Sequence, residues 1–150
     1  MSETTEQFGS KLVGLARQWR AEVDQRLKPL GMSEARWLAL HHLATNGGAL
    51  NQGELAERLG IRGPTLVSQL DLLESHGWVE RCNAPNDRRS KIVRLTESAQ
   101  PLAERIASVV RDVRSELFDD IDEEEIAACL HLIQRLEKRI TVLREKRKAS

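Results

Sequence analysis

The 150-residue sequence has no tyrosine, and its aromatic residues together make up 3%. No segment repeats at a fixed period and none is of low complexity, which excludes a solenoid and a disordered tail of any length. Only two cysteines occur, Cys82 and Cys129. They fit neither a Cys-x-x-Cys motif nor a disulfide framework, so structural roles in a reducing compartment are expected. No apolar run approaches the roughly 18 residues of a membrane span. The opening Met1-Ser2-Glu3-Thr4-Thr5-Glu6 is acidic where a secretory signal is basic and then apolar, so a cytoplasmic protein without membrane contact is expected. The 23 Lys and Arg balance 23 Asp and Glu, so any attraction to nucleic acid must come from a local patch. Also missing are a Gly-rich phosphate loop, His-Glu-x-x-His and a Gly-x-Ser-x-Gly elbow, which argues against an enzyme. His42, His76 and His131 share no ligand spacing with each other or with the cysteines, so no metal and no cofactor are expected.

What is present, 40% hydrophobic and 31% charged residues, describes a single domain over 1–150 that can bury about two thirds of its unfolded surface. Leu12, Leu15, Trp19, Val23, Leu27 and Leu30 recur at spacings of three and four, which predicts an amphipathic helix over 8–30. Ser33 can cap a second helix, with Met32 packing on Trp37 as a hydrophobic staple, and Asn46-Gly47-Gly48 breaks it. Asn51 repeats the start signal. Glu54 is placed to reach back to the cap amide, and Leu50 faces Leu55, so a short third helix over Gln52–Leu59 is expected, ended by Gly60. Gly63 and Pro64 supply an open cap and a first-turn proline for a fourth helix, with Leu66, Val67, Leu70 and Leu73 inward and Gly77 as the stop. The short linker 60–63 makes this pair a helix-turn-helix candidate. Trp78-Val79-Glu80-Arg81 and Lys91-Ile92-Val93-Arg94-Leu95 read as strands around the turn formers 83–87, a hairpin with a long tip.

Thr96 caps a long helix on which Leu102, Ile106, Val109, Val113 and Leu117 step by three and four. Asp122 caps the last helix with Glu125 at the capping-box position, and Ile126, Cys129, Ile133, Leu136, Ile140 and Leu143 take heptad a and d positions that want a partner helix.

Arg81, Arg88, Arg89, Lys91 and Arg94 have a single acid, Asp87, standing among them, so a neutral protein carries a positive finger. Such a finger neutralises phosphates, and an arginine at its tip can enter a narrow minor groove. Alternatively it is a solvated loop whose arginines prevent edge pairing. Its place directly after a capped helix pair favours double-stranded DNA. Pro64 leads the outward face of the fourth helix, where Thr65, Ser68 and Gln69 offer hydrogen-bonding groups to base edges, with Arg62 just ahead.

The stretches Arg26-Leu27-Lys28-Pro29-Leu30, Leu59-Gly60-Ile61, Leu70-Asp71, Gly77-Trp78-Val79-Glu80-Arg81 and above all Asp87-Arg88-Arg89 with Leu95-Thr96-Glu97 resemble the MarR family of winged-helix transcription regulators, most closely its SlyA-like branch. The resemblance spans nearly the whole chain. It implies a mainly α fold with a small β-hairpin wing: a winged helix-turn-helix lobe over 33–95, and N- and C-terminal dimerisation helices over 8–30 and 97–147. Residues 64–76 would be the recognition helix and 81–94 the wing, with Arg89 entering the minor groove and Asp87 orienting the wing by pairing with a nearby arginine. Ser68 departs from the family, which often has an arginine there, so a base-reading contact is in doubt; Arg62 is close enough in sequence to stand in for it.

The resemblance further implies a homodimer through stripes that include Leu12, Leu15, Ile126, Ile133, Leu136 and Ile140, reading a pseudo-palindrome with half-sites about one helical turn apart. Arg17, Trp37 and His41 resemble the positions that contact salicylate in the SlyA branch: a guanidinium for a carboxylate, an indole to stack and an imidazole one turn on. A small aromatic carboxylate would then release the protein, a repressor or anti-silencer, from DNA. Trp37 can equally be a core staple. Two other readings stand beside this one, a thiol-based oxidant sensor using Cys82 at the base of the wing and a helical protein-interaction module built on the last helix and the basic tail 144–148.

Overall fold

The computed structural model describes residues 2–150. In chain order its elements are α1 (Glu3–Leu27), a 3-10 turn (Lys28–Leu30), α2 (Glu34–Thr45), β1 (Ala49–Asn51), α3 (Gln52–Leu59), α4 (Gly63–Ser75), β2 (Val79–Ala84), β3 (Asp87–Leu95), a second 3-10 turn (Glu97–Ala99), α5 (Gln100–Phe118) and α6 (Glu123–Ala149). The fold is mainly α with one small antiparallel sheet, as expected. The chain divides into two compact units, one running to Val113 and the other Arg114–Ser150.

Local signals explain most boundaries in the first unit. Helix α1 begins at Glu3 rather than Phe8 because Ser2 Oγ accepts the Thr5 N–H at 3.3 Å, and the polar first turns gave no apolar period to read. Ser33 Oγ caps α2 by accepting the Arg36 N–H. Asn51 Oδ1 caps α3 by accepting the Gly53 N–H at 2.9 Å. The expected capping box is not made: Glu54 receives Arg58 Nη2 at 3.1 Å one turn further on. Gly60 and Gly77 take φ of +67° and +74°, a left-handed region open to glycine at little cost. At Gly77 the Trp78 N–H bonds Leu73 O at 3.0 Å, which closes α4 and turns the chain into β2.

The cap of α4 is Arg62 and Pro64 is its second residue, one position off the expected Gly63 cap. Leu66, Leu70 and Leu73 are fully buried, but Val67, expected inside, is 37% exposed, because one residue of helix turns it about 100° from Leu66. Thr96 does not cap a helix by its side chain; its hydroxyl donates to Gly77 O, as does that of Ser98, and the 3-10 turn that follows precedes α5.

The sheet runs in the order β1-β3-β2 with both pairings antiparallel. Strand β1 was not expected. Three residues carry no period, yet they pair Ala49 with Arg94, Leu50 with Val93 and Asn51 with Ile92. One core joins the elements of this unit: Val23 and Leu27 from α1, Trp37, Leu40 and Leu43 from α2, Leu55 from α3, Leu66, Leu70 and Leu73 from α4, Val79 and Val93 from the sheet, and Ile106 and Val113 from α5.

In the second unit, Asp122 stands at the N-cap of α6 without a side-chain capping bond. Glu123, Glu124 and Glu125 fill the first turn and Lys146, Arg147 and Lys148 the last, each sign at the helix end whose partial charge it complements.

His42 on α2 generates a pH dependence. Burial first, and then the positive charge of His41, Arg58 and Arg20, lower its pKa from 6.5. Below pH 6.5 the unfolded chain therefore takes up this proton before the folded one, and stability falls until the folded His42 is protonated too. The thermal midpoint is expected to drop on going from about pH 7.5 to about pH 5.5, and His42→Gln to flatten that drop. Parallel midpoint profiles for the two proteins would remove His42 as the cause.

Candidate nucleic-acid interface

Helices α3 and α4, joined through Gly60 and Arg62, present one outward surface. On α4 it comprises Pro64, Thr65, Val67, Ser68, Asp71, Leu72 and Glu74, all exposed. The Ser68 hydroxyl donates back to Pro64 O at 3.3 Å, leaving its lone pairs free to accept. Gln69 is half-buried, and its Oε1 accepts the Ser33 hydroxyl at 3.2 Å. That same Ser33 Oγ accepts Arg36 Nε at 3.1 Å, so Gln69 ties α4 to the start of α2 instead of turning its carbonyl outward. Arg62 is exposed at the cap. No Lys or Arg lies within α4, whose charged groups are Asp71 and Glu74.

Both of those carboxylates are taken by one guanidinium. Arg81 Nη2 reaches Asp71 Oδ1 at 2.5 Å and Glu74 Oε2 at 2.6 Å, while its Nε donates to Glu74 Oε2 at 2.7 Å. Partial burial works against the Arg81 charge, but the two hydrogen bonds and the two negative charges outweigh it and raise its pKa. Arg81 therefore belongs to the helix–hairpin joint and not to the positive finger. Arg94 stands opposite Glu80 across the ladder.

The hairpin is longer in its strands and shorter at its tip than expected. Asn83 pairs with Lys91, but the next pair is Ala84 with Asp87, so only Pro85 and Asn86 form the turn. The register shift leaves Arg88, Arg89 and Ser90 on β3 without partners on β2, a bulge of the kind that re-aims side chains. Arg88 and Arg89 are exposed, and neither takes part in a salt bridge among the described residues. Asp87 Oδ1 accepts the Arg89 backbone N–H at 2.9 Å; the expected pairing of Asp87 with an arginine side chain is replaced by this local turn, in which the carboxylate is spent on an amide two residues on. Lys91 Nζ donates to Asn83 Oδ1 at 2.6 Å, and Asn51 Nδ2 donates to Ser90 Oγ at 2.7 Å. The hairpin thus sets two exposed guanidiniums at its end, beside a helix whose two acids share the Arg81 guanidinium. Such an arrangement suits a polyanion.

The residues expected around an aromatic acid are placed unevenly. Arg17 is exposed on α1 and His41 is half-buried on α2, its ring 6.4 Å from that of His42. Trp37 is 2% exposed, and its indole N–H donates to Asp24 Oδ1 at 2.9 Å. It is a core residue anchored to α1. Asp24, Ser90 and the Arg81 clamp carry no motif that marks them in the sequence; the Asp71-x-x-Glu74 spacing, two acids on one helix face, is the signal available for the clamp.

Leu12 and Leu15 are exposed on α1. On α6, Ile126, Ile133 and Leu136 are half-buried and Ile140 is exposed. Cys82 and Cys129 are both exposed free thiols. Among the described residues no His, Cys, Asp and Glu come together as a metal site, and no helix is long and apolar enough to cross a membrane.

A family model described as the MarR family matches residues 30–90. Among solved structures, the transcriptional regulator PA3341 is 42% identical, with 89% of this chain covering 98% of that one at a TM-score of 0.84. Apo MarR from E. coli is 26% identical over 85% of this chain and 94% of its own, with a TM-score of 0.68. NadR in complex with 4-hydroxyphenylacetate is 24% identical over 86% and 91%, with a TM-score of 0.76.

The Arg81 clamp predicts a selective effect on the hairpin. Arg81→Leu is expected to speed amide exchange in β2 and β3 while global stability changes by less than about 1 kcal/mol, because both carboxylates are well exposed. Arg81→Lys should behave as Arg81→Leu does, since one ammonium lacks the fork that grips two carboxylates at once. Exchange rates unchanged in Arg81→Leu would show that the ladder holds the hairpin without the clamp.

Proposed function

The chain belongs to the MarR family of transcriptional regulators, and from that premise we propose that it acts as a homodimer on a pseudo-palindromic operator. As a member of that family it is a DNA-binding regulator and not an enzyme. In the proposed complex the exposed face of α4, with Thr65 and Ser68 at its start and Arg62 beside it, enters the major groove. Arg89 enters the flanking minor groove, with Arg88 and Lys91 on the phosphates. The observation that carries this reading is the bulge at 88–90, which gives a protein of zero net charge two exposed arginines at the hairpin end. Dimerisation through the apolar stripes of α1 and α6 would supply the two-fold axis that a palindrome needs. Leu12, Leu15 and Ile140 lie exposed in the single chain, as residues of such a stripe must.

We further propose that a small aromatic carboxylate such as salicylate loosens this complex, its charge met by Arg17 and His41. Trp37 then contributes from the core, through its bond to Asp24, and not as an open stacking platform. A fold relative, NadR, is known in complex with an aromatic acid, 4-hydroxyphenylacetate. The exposure of Cys82 on β2 favours a second reading, in which peroxide acts through that thiol on the wing. Under it, peroxide weakens DNA binding by the wild type and not by Cys82→Ser; equal responses dispose of it.

Fluorescence anisotropy with a duplex from upstream of its own gene, against a scrambled duplex over a salt series, tests the main reading. Preference for the upstream duplex, with binding that falls steeply as salt rises, is expected. Arg89→Ala should lose about 1–3 kcal/mol of that binding with the fold intact; full affinity in this variant would take the wing out of the mechanism. Ile140→Asp is expected to lower the solution mass from twice the 17.0 kDa chain mass towards one chain and to weaken operator binding with it. Salicylate should weaken DNA binding about 5- to 150-fold, and Arg17→Ala should abolish that effect without changing the affinity measured in its absence. A salicylate response retained by Arg17→Ala would place the acid elsewhere.

A further inference from the structure

We infer that Asn51 and Ser90 are positioning residues for DNA binding, acting through Arg89. The inference rests on the proposed role of the wing arginine and adds what holds that arginine in place. Arg88, Arg89 and Ser90 lie between the pairs Asn83–Lys91 and Ala84–Asp87, and the β1 ladder stops at Ile92. These three residues therefore have no partner residue on either neighbouring strand. Two side-chain hydrogen bonds reach them. Asp87 Oδ1 holds the Arg89 N–H from within the tip, which shapes the tip without tying it to the rest of the fold. Asn51 Nδ2, reaching Ser90 Oγ at 2.7 Å, is the bond that runs from the bulge to another part of the fold.

The chemistry of Asn51 suits it to this task. Its amide is held at both ends: Oδ1 accepts the Gly53 N–H at 2.9 Å and so caps α3, while Nδ2 points to the bulge. Its backbone is also paired, opposite Ile92. The donor thus sits on a fixed plane at the start of the helix-turn-helix, and both Asn51 and Ser90 are half-buried, where water competes less for the bond. Ser90 is the residue next to Arg89. The bond therefore relates the arginine at the hairpin end to α3 and α4, so that both insert into adjacent grooves without a search by the hairpin. A minor groove about 6 Å wide leaves little tolerance for a displaced guanidinium.

The experiment is a double-mutant cycle on the full chain, read by anisotropy with the duplex from upstream of its own gene and accompanied by thermal unfolding. Ser90→Ala is expected to weaken binding about 3- to 10-fold and to have less than about a twofold effect once Arg89 is already Ala, since the arginine it positions is gone. Ser90→Thr, which keeps the hydroxyl, should bind as the wild type does. Asn51→Ser, which still caps α3 but is too short to reach the bulge, should match Ser90→Ala and not add to it. If Arg89→Ala weakens binding while Ser90→Ala does not, the positioning role is overturned and the wing reading stands. Equal losses from Ser90→Ala in both backgrounds would also overturn it, making the bond a general staple. If Arg89→Ala itself binds with full affinity, the wing reading fails and this inference with it.

Discussion

The grip of Arg81 on Asp71 and Glu74 is the interaction on which the surface proposed to face DNA depends. A helix that carries two carboxylates and no cation is a poor partner for a phosphate backbone, because like charges meet across a narrowing gap. One guanidinium from β2 offsets one of those two negative charges. It bonds both acids, and in doing so fastens the hairpin to the C-terminal half of α4. Partial charge compensation and alignment come from the same contact. The clamp also explains why the local charge of the hairpin matters more than its count: of five cations between 81 and 94, Arg81 is committed inward and Arg94 faces Glu80. The field presented outward comes mainly from Arg88 and Arg89, at the place where the strand bulges.

Elements marked by their own residues were legible from the sequence. Ser33 and Asn51 cap helices by bonds within three residues, and Gly60 and Gly77 end helices by backbone angles that few other residues adopt. The hairpin declared itself by a change of period. The leucine face of α4 followed from spacing, apart from Val67. Strand β1 is three residues long, and its existence depends on β3, some forty positions later, so no local pattern announces it. The tip of the hairpin was misjudged for a related reason: Asn83 to Asp87 are turn formers one by one, yet the ladder continues to Ala84 and Asp87 because the extra residues are absorbed as a bulge in β3.

The site was legible as a set of residue types and far less so as a set of partners. Arg88 and Arg89 were found from charge alone, and exposure is what charge predicts. Gln69, chosen as a polar group on an outward face, lies at the border of that face and is drawn to Ser33. The family resemblance implies a guanidinium partner for Asp87, but an amide two residues on is nearer and needs no long side chain to be ordered. Trp37 was open to two readings, and its bond to Asp24 together with its burial favours the core. For Gln69 and Trp37 the deciding contact joins residues whose nearness is a property of the fold and not of the spacing; for Asp87 it is a local turn.

That same core bears on how an effector could reach DNA. Val23 and Leu27 of α1 are packed in one cluster with Trp37 and Leu40 of α2 and with Leu66, Leu70 and Leu73 of α4. Close-packed interiors shift between discrete arrangements and do not deform smoothly. Arg17 lies seven residues, about two turns, before Asp24, which holds the Trp37 indole. A ligand that draws Arg17 to a new position acts on the helix that anchors Trp37, and any change there is felt by the residues behind α4. The Ser33–Gln69 bond offers a second route from the start of α2 to the same helix. Coupling between an acid bound near α1 and the DNA-facing surface therefore needs no long pathway. It needs only that one helix, which shares a core with α2 and α4, be favoured by the ligand in a placement that the DNA-bound form does not share.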